Sequence, residues 1–244
     1  MTEIENKMIN MDLYEVFKVP KFILNIYGLW PKNKTNWAKI RSIISILNSS
    51  IFCIIMAAEC IFAHHDFKSL MEVLTIFTAP FSYILKQLVF SGLEKDFLNL
   101  YNFLNEPKFK NIPKKSINEV TRPIRIAKTI GIGYQINCAL TVSLYSVMPI
   151  ITSKPLPVRF TIIDLGNLQA VMYLFQTFGL YNSASNNSSI DFIALGLMCI
   201  VKGQVSVLNK KIRTMGMLIG NNSDDLHLIS DMKDIVVHHN KIIM

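Results

Sequence analysis

The sequence predicts an all-α membrane protein: a polytopic helical bundle with four transmembrane helices and long cytoplasmic helix extensions. The composition is the first reason, because 51% of the 244 residues are hydrophobic and only 17% are charged, with a mean hydropathy of +0.34. Soluble domains usually carry about 25% charged residues. The second reason is that four apolar segments are long enough to cross a membrane as helices. A hydrocarbon core about 30 Å thick requires roughly 20 residues.

The four predicted spans cover about 43–63, 70–90, 129–151 and 170–201. The fourth is unusual because a polar run, 182–189, interrupts it. A single helix over this segment would be about 48 Å long, and its polar middle must face protein rather than lipid. A re-entrant loop that exposes Asn186 and Asn187 at one membrane surface is the alternative.

The basic residues predict the orientation. Of the 25 Lys and Arg residues, 21 lie before the first span, between the second and third spans, or after the fourth. Basic residues are retained in cytoplasmic loops, so we expect a multi-pass protein with a cytoplasmic amino terminus. The net charge of +8 then belongs to membrane flanks, and we expect no nucleic-acid partner.

We expect a single membrane domain over 1–244, in which 1–42 form a cytoplasmic amino-terminal segment and 202–244 form incomplete cytoplasmic helices. The apolar spacing of residues 13–27 predicts a helical segment lying along the membrane, and Trp30 and Trp37 are expected in the interfacial belt. Helical spacing also extends the second span to Leu104, where Pro107 follows. A further helix begins near 226, so we expect a truncated or incomplete product.

No enzyme signature is visible. The only clusters of ligand-type residues are His64-His65-Asp66 and His238-His239. Adjacent histidines on a helix point about 100° apart and do not readily chelate one metal ion. The sequence has no nucleophile elbow and no phosphate-binding glycine pattern. We therefore predict no catalytic residues, no metal and no cofactor.

Several motifs occur in an order that resembles the insect odorant receptors, a seven-helix chemoreceptor family of inverted topology. They are Ile26-Tyr27-Gly28-Leu29-Trp30-Pro31, Lys86, Pro149 with Leu156-Pro157, the stretch from Tyr173 to Leu208 with Asp191-Phe192-Ile193-Ala194 inside it, and Val237-His238-His239-Asn240.

The resemblance implies the ligand-binding subunit of an odorant-gated cation channel. Its expected partners are a small volatile odorant, the lipid bilayer of the plasma membrane and a shared co-receptor subunit. The family pattern continues with three more spans, including the pore-lining helix, so a chain of this length is not expected to conduct. A gustatory-type chemoreceptor and a ligand-free four-span scaffold protein are the alternatives.

If odorant binds as the resemblance implies, the site should be an apolar pocket in the outer half of the bundle, since volatile ligands gain affinity mainly by burying apolar area. The predicted topology places ten candidate side chains at that depth, although any of them could serve only in interhelical packing. They are Phe77, Phe81, Ser82, Val142, Tyr145, Met148, Tyr173, Phe175, Gln176 and Gly179.

Two charged residues lie deep in their spans. Lys86 is about 24 Å below the start of the second span, and Asp191 is about 32 Å below the start of the fourth. Charges inside a membrane usually face protein or water. We hypothesise an ion pair between Lys86 and Asp191; the alternative is that each reaches cytoplasmic water separately.

Overall fold

The computed structural model describes residues 8–31, 35–62, 67–104, 106–152, 156–158 and 168–219, together with 232–233, 235–237 and 239–240. Its elements are β1 (Met8–Asn10), a 3-10 helix (Leu13–Phe17), α1 (Lys18–Ile26), α2 (Asn36–Phe62), α3 (Phe67–Gly92), α4 (Glu94–Phe103), α5 (Pro107–Lys110), β2 (Asn111–Pro113), a second 3-10 helix (Lys114–Ser116), α6 (Ile117–Ile151) and α7 (Gln169–Ile219).

Four of these helices are long and apolar enough to cross a membrane, over Asn36–Phe62, Leu70–Gly92, Lys114–Ile151 and Gln169–Gly216. The predicted all-α membrane fold is thereby confirmed. The four helices begin before the predicted spans, and α3 and α7 also end after them, because helical hydrogen bonding continues past the apolar segments. The polar clusters at 220–231 lie outside the described residues, and the described residues between 232 and 240 are helical.

The helix α7 is continuous through the polar run 182–189. Its hydroxyl groups bond back to carbonyl oxygens of the preceding turn: Ser188 Oγ donates to Ala184 O at 2.7 Å, and Ser189 Oγ donates to Ser185 O at 2.7 Å. These hydroxyl groups therefore find hydrogen-bond acceptors within the helix and do not break it. The re-entrant alternative is not what the structure shows.

A left-handed turn leads into the first long helix. Gly28 has φ of 75°, and a Cβ at this position would lie 2.1 Å from the carbonyl oxygen of Ala38. Only glycine allows this backbone conformation and this close approach. The helix α2 then starts after Thr35, whose Oγ1 accepts a hydrogen bond from the Ala38 N–H at 3.3 Å and so caps the first turn.

The strand pair β1–β2 was not predicted. It is antiparallel, with Met8 opposite Pro113 and Asn10 opposite Asn111. Strands of three residues are too short to show a period of two in the sequence. The helix α4 ends before Pro107, and Pro107 begins α5, where its missing N–H costs nothing.

The described residues divide into two compact units. The first comprises Met1–Phe17, Asn99–Ile130 and Ile193–Met244, and the second comprises Lys18–Leu98 and Gly131–Phe192.

In the first unit, the amino-terminal segment is held by polar contacts. Tyr14 donates its hydroxyl proton to the Tyr101 carbonyl at 2.9 Å, and Lys128 pairs with Glu15 at 2.5 Å. Desolvation raises the pKa of the Tyr14 hydroxyl, with smaller contributions from Tyr101 and Asp12, so it stays a donor at neutral pH.

Within residues 13–27, the apolar side chains Leu13, Val16, Phe17 and Leu24 are buried within the protein, whereas Phe22 and Ile26 are exposed. The placement of this segment along the membrane stays a prediction. Val16 and Phe17 pack at Gly196, where a Cβ would lie 3.1 Å from Val16 Cγ2. Trp30 is also buried, with its ring centroid 5.5 Å from that of Phe97, whereas Trp37 is exposed as an interfacial residue would be.

Candidate functional site

The second unit contains an apolar cluster built from four long helices and one connecting segment. Its buried members come from α2, α3, α6, residues 156–158 and α7. They are Phe52, Met56, Val73, Ile76, Val142, Leu156, Val158 and Leu180, and partly buried hydrophobic residues packed against them include Ile55, Phe77, Met172, Tyr173, Phe175 and Tyr181. We refer to this set as the apolar cluster.

Four of the ten residues predicted for the ligand site belong to the apolar cluster: Phe77, Val142, Tyr173 and Phe175. The Phe175 ring approaches Phe52 with centroids 6.4 Å apart and a steep angle of 68° between the rings. The structure thus brings these side chains together although they come from three different helices.

Two further predicted residues touch the cluster through their backbone or side-chain groups. Gly179 packs on Phe52, because a Cβ there would lie 3.1 Å from the Phe52 Cγ. Gln176 is fully buried, and its amide exchanges two hydrogen bonds with the backbone of Val158, both at 3.0 Å.

The other four predicted residues lie outside the apolar cluster. Phe81, Tyr145 and Met148 are exposed on the helix surfaces, and Ser82 is partly buried. Phe81 stacks on Phe77 with centroids 5.4 Å apart. Any contact of these four side chains with a ligand stays a prediction.

Hydrogen bonds between α6 and α7 border the cluster. The Tyr173 hydroxyl donates to the Ser146 carbonyl at 2.6 Å, and the Tyr181 hydroxyl lies 2.7 Å from Ser143 Oγ. Both tyrosines therefore combine an aromatic face in the cluster with a fixed polar end.

Sequence reasoning missed Phe52 and Met56 on α2, Val73 and Ile76 on α3, and Leu156 and Val158 in the connection. The depth of a residue along its span predicts the four residues of the first two spans, just as it predicts Phe77 and Val142. The two residues of the connection carry no periodic signal, because they lie in neither helix nor strand.

A buried polar network begins where α7 meets α2. Asn182 Nδ2 donates to the Ser45 carbonyl at 2.7 Å and to Ser49 Oγ at 2.8 Å, while Ser45 Oγ donates to Asn182 Oδ1 at 2.6 Å. Ser183 Oγ lies 3.3 Å from Ser49 Oγ. The prediction that the polar run faces protein is confirmed, since Asn182, Ser183 and their partners are almost fully buried.

The same network continues to α6. Gln135 Nε2 donates to Ser189 Oγ at 2.9 Å, and Gln135 Oε1 lies 2.9 Å from Ser188 Oγ, where it shares the single hydroxyl proton with the Ala184 carbonyl. Asn186 Nδ2 donates to Asn182 Oδ1 at 2.7 Å. Within a membrane-spanning bundle such bonds link helices that the hydrophobic effect alone would not hold together.

Three amide oxygens beside this network, on Asn48, Asn186 and Asn187, are buried without a hydrogen-bond partner among the described residues. A buried carbonyl-type oxygen of this kind costs free energy unless it meets a donor such as an ordered water molecule. The region is therefore polar enough to hold water.

The structure brings Lys86 and Asp191 together. Lys86 Nζ lies 2.7 Å from Asp191 Oδ1 and 2.8 Å from Oδ2, which links α3 to α7. The two side chains retain 35% and 42% of their exposure, so the pair is only partly desolvated. The charges neutralise each other instead of reaching solvent separately.

No group of three His, Cys, Asp or Glu side chains is placed to hold a metal ion within the described residues. His64, His65, Asp66 and His238, which the sequence analysis singled out, lie outside them. The four cysteines, Cys53, Cys60, Cys138 and Cys199, are free thiols.

Comparison with known proteins gives a family-model match and a match among solved structures. A model of the 7tm odorant receptor family matches residues 66–244. Among solved structures, the insect olfactory receptor OR5 from Machilis hrabei is similar with a TM-score of 0.77 and 15% sequence identity. That match covers 94% of this chain and 63% of the other, so the chain spans less than two thirds of that receptor. No curated protein sequence matches the chain.

Proposed function

The chain belongs to the 7tm odorant receptor family, and we propose that it is the odorant-binding subunit of an odorant-gated cation channel. It would act in the plasma membrane with its amino terminus in the cytoplasm and with a shared co-receptor subunit as its partner. This family is one of receptors and channels rather than enzymes, and the fold is that of a multi-pass membrane protein.

The observation that carries the proposal is the apolar cluster. It collects the aromatic side chains of Phe52, Phe77, Tyr173 and Phe175, with aliphatic neighbours, in the halves of the helices that the predicted topology assigns to the outside. A volatile compound offers few hydrogen bonds, so its affinity must come from apolar area removed from water, at about 25 cal/mol per Å². The fixed hydroxyl groups of Tyr173 and Tyr181 would supply the small number of polar groups that orient a ligand.

The topology follows from the placement of charge. In the helices that can cross a membrane, the basic residues cluster near one end, as for Lys39 and Arg41 in the first, and the positive-inside rule assigns that end to the cytoplasm. The apolar cluster then faces the side from which odorants arrive. The family match favours an odorant receptor over the gustatory alternative.

Photoaffinity labelling tests the binding site directly. Membranes that contain the chain are irradiated with an aliphatic ketone carrying a diazirine, and the labelled residues are mapped by mass spectrometry. We expect labels on residues of the apolar cluster, with loss of labelling when an excess of unlabelled volatile ketone is present. Phe175→Ala should reduce the labelling severalfold, because it removes an aromatic wall of the site.

Leu174 provides the matched control, since it neighbours Phe175 on the same helix but is 67% exposed. Leu174→Ala should leave the competed labelling unchanged. Labelling that is strongest on exposed residues such as Leu174, and that excess ketone does not compete, would favour the ligand-free scaffold. The channel role is tested separately, by co-expressing the complete gene product with the co-receptor and recording odorant-evoked cation current.

A further inference from the structure

A cleft of about 560 Å³ lies in the second unit, away from the apolar cluster. The turn at 28–31, the first turns of α2, the last turns of α3 and the start of α4 form its walls. Its volume falls in the range of sites that bind small molecules, roughly 300–1,000 Å³. The odorant-site proposal makes no use of it.

One wall of the cleft holds an unsatisfied acceptor. Gln87 is 7% exposed, and its Nε2 donates to Ser91 Oγ at 3.2 Å. Its Oε1 is buried and accepts no hydrogen bond from any residue that the structure describes. A buried amide oxygen without a donor is costly, but this one lies within the wall, so a ligand in the cleft contacts other atoms of Gln87.

The cleft also carries one charge of each sign. Lys39 on α2 and Glu94 at the start of α4 both line it. Neither side chain forms an ion pair with another residue in the described part of the chain. A ligand with both a cationic and an anionic group could therefore neutralise both.

Apolar surface continues from this polar rim. Ile43 and Ile46 line the cleft on the turns of α2 that follow Lys39, and Phe90 lines it from α3. Ile43 is 57% exposed and belongs to a helix that can cross a membrane. The cleft is thus polar at the start of the span and apolar toward its interior, which is the arrangement of a phospholipid headgroup and its acyl chains.

We propose that this cleft binds a phospholipid whose headgroup carries a primary ammonium, the phosphatidylethanolamine class. Its ammonium donates to the Glu94 carboxylate, its phosphate accepts from Lys39, and an acyl chain lies on Ile43 and Ile46. The trimethylammonium of phosphatidylcholine has no N–H to donate, and an anionic glycerol headgroup offers no cation to Glu94. On the proposed topology the lipid belongs to the inner leaflet, and the site does not depend on odorant binding.

Trp30 lines the cleft and reports on its occupancy. The chain has two tryptophans, so Trp37→Phe leaves Trp30 as the single fluorophore. The protein is placed in phosphatidylcholine nanodiscs to which increasing fractions of dibromo-acyl phosphatidylethanolamine are added, because bromine quenches tryptophan at short range. We expect saturable quenching, with half-saturation at about a tenfold lower fraction than for dibromo-acyl phosphatidylcholine, as expected for one charge-assisted hydrogen bond.

Variants identify the groups responsible. Glu94→Gln should move the half-saturating fraction toward that of phosphatidylcholine. Asp96→Asn is the matched control, since Asp96 lies in the first turn of the same helix but does not line the cleft. Circular dichroism verifies that the helix content of each variant is unchanged.

Equal quenching by the ethanolamine and choline lipids in the unsubstituted cleft would overturn the proposal, whatever the variants do. Equal quenching by dibromo-acyl phosphatidylglycerol would overturn it as well, since it would indicate attraction to Lys39 alone. Soluble phosphoethanolamine should not displace the lipid at equal concentration; displacement would exclude a role for the acyl chain.

Discussion

Gln176 on α7 forms two hydrogen bonds with the backbone of Val158. Its Oε1 accepts from the Val158 N–H and its Nε2 donates to the Val158 carbonyl, each at 3.0 Å. Val158 and Leu156 are buried members of the apolar cluster although they belong to no helix. One side chain therefore fixes a connecting segment as a wall of the proposed odorant site.

Gln176→Met should release this segment, because methionine keeps the length of the side chain but offers neither hydrogen bond. We expect the Val158 amide to exchange its hydrogen about tenfold faster, since each lost bond is worth about 1 kcal/mol. Hydrogen exchange with mass spectrometry measures this. Gln169→Met, at an exposed position of the same helix, is the control, and equal exchange in both variants would contradict the role of Gln176.

Asn182→Ala should destabilise the bundle by about 1–2 kcal/mol, because it removes the buried hydrogen bonds of Asn182 to Ser45 and Ser49. Denaturant titration of the protein in mild detergent, followed by circular dichroism, gives the free energy of unfolding. Asn187→Ala is the matched comparison, since the Asn187 Oδ1 has no partner among the described residues. An equal loss of unfolding free energy in Asn187→Ala and Asn182→Ala would show that the hydrogen bonds of Asn182 do not stabilise the bundle.

Lys86→Met and Asp191→Asn test the ion pair in a double-mutant cycle. The pair is partly exposed, so we expect a coupling energy of only about 0.5–1 kcal/mol. It should weaken as salt is added to the detergent solution. Strictly additive effects of the two substitutions on the free energy of unfolding would mean that the contact contributes nothing.

Gly131→Ala and Gly133→Ala should act in opposite directions. A Cβ on Gly131 would lie 2.3 Å from the ring of Phe192, which is buried and has no room to move, whereas a Cβ on Gly133 meets nothing within 4 Å. Alanine gains about 1 kcal/mol over glycine in a helix interior, so Gly133→Ala should raise the melting temperature and Gly131→Ala should lower it. Similar shifts for both would refute close packing of α6 on α7 at this level.

The spans, their number and the burial of the polar run were predictable, because each follows from the cost of placing polar groups in hydrocarbon. Lys86 and Asp191 could be matched by depth because a helix rises a fixed distance per residue. The same counting selected Phe77, Val142, Tyr173 and Phe175, all of which the structure gathers into one cluster.

Other features had no local signal. Trp30 resembles a membrane-interface residue, but its ring packs against Phe97, which is more than sixty residues away in the sequence. The face of a helix that a neighbour covers also depends on how the helices pack. Phe81, Tyr145 and Met148 were selected by depth but have exposed side chains, and Phe81 stacks on Phe77. Depth follows from sequence, whereas rotation about the helix axis follows from tertiary contacts.

The strand pair β1–β2 has a consequence for how the protein is made. Met8 leaves the ribosome about a hundred residues before its partner Pro113, and α2 and α3 are synthesised in between. At about 5–20 residues per second, the amino-terminal strand waits roughly 5–20 s for its partner. During that interval two spans must enter the bilayer while the chain's first segment is still unpaired and within reach of chaperones.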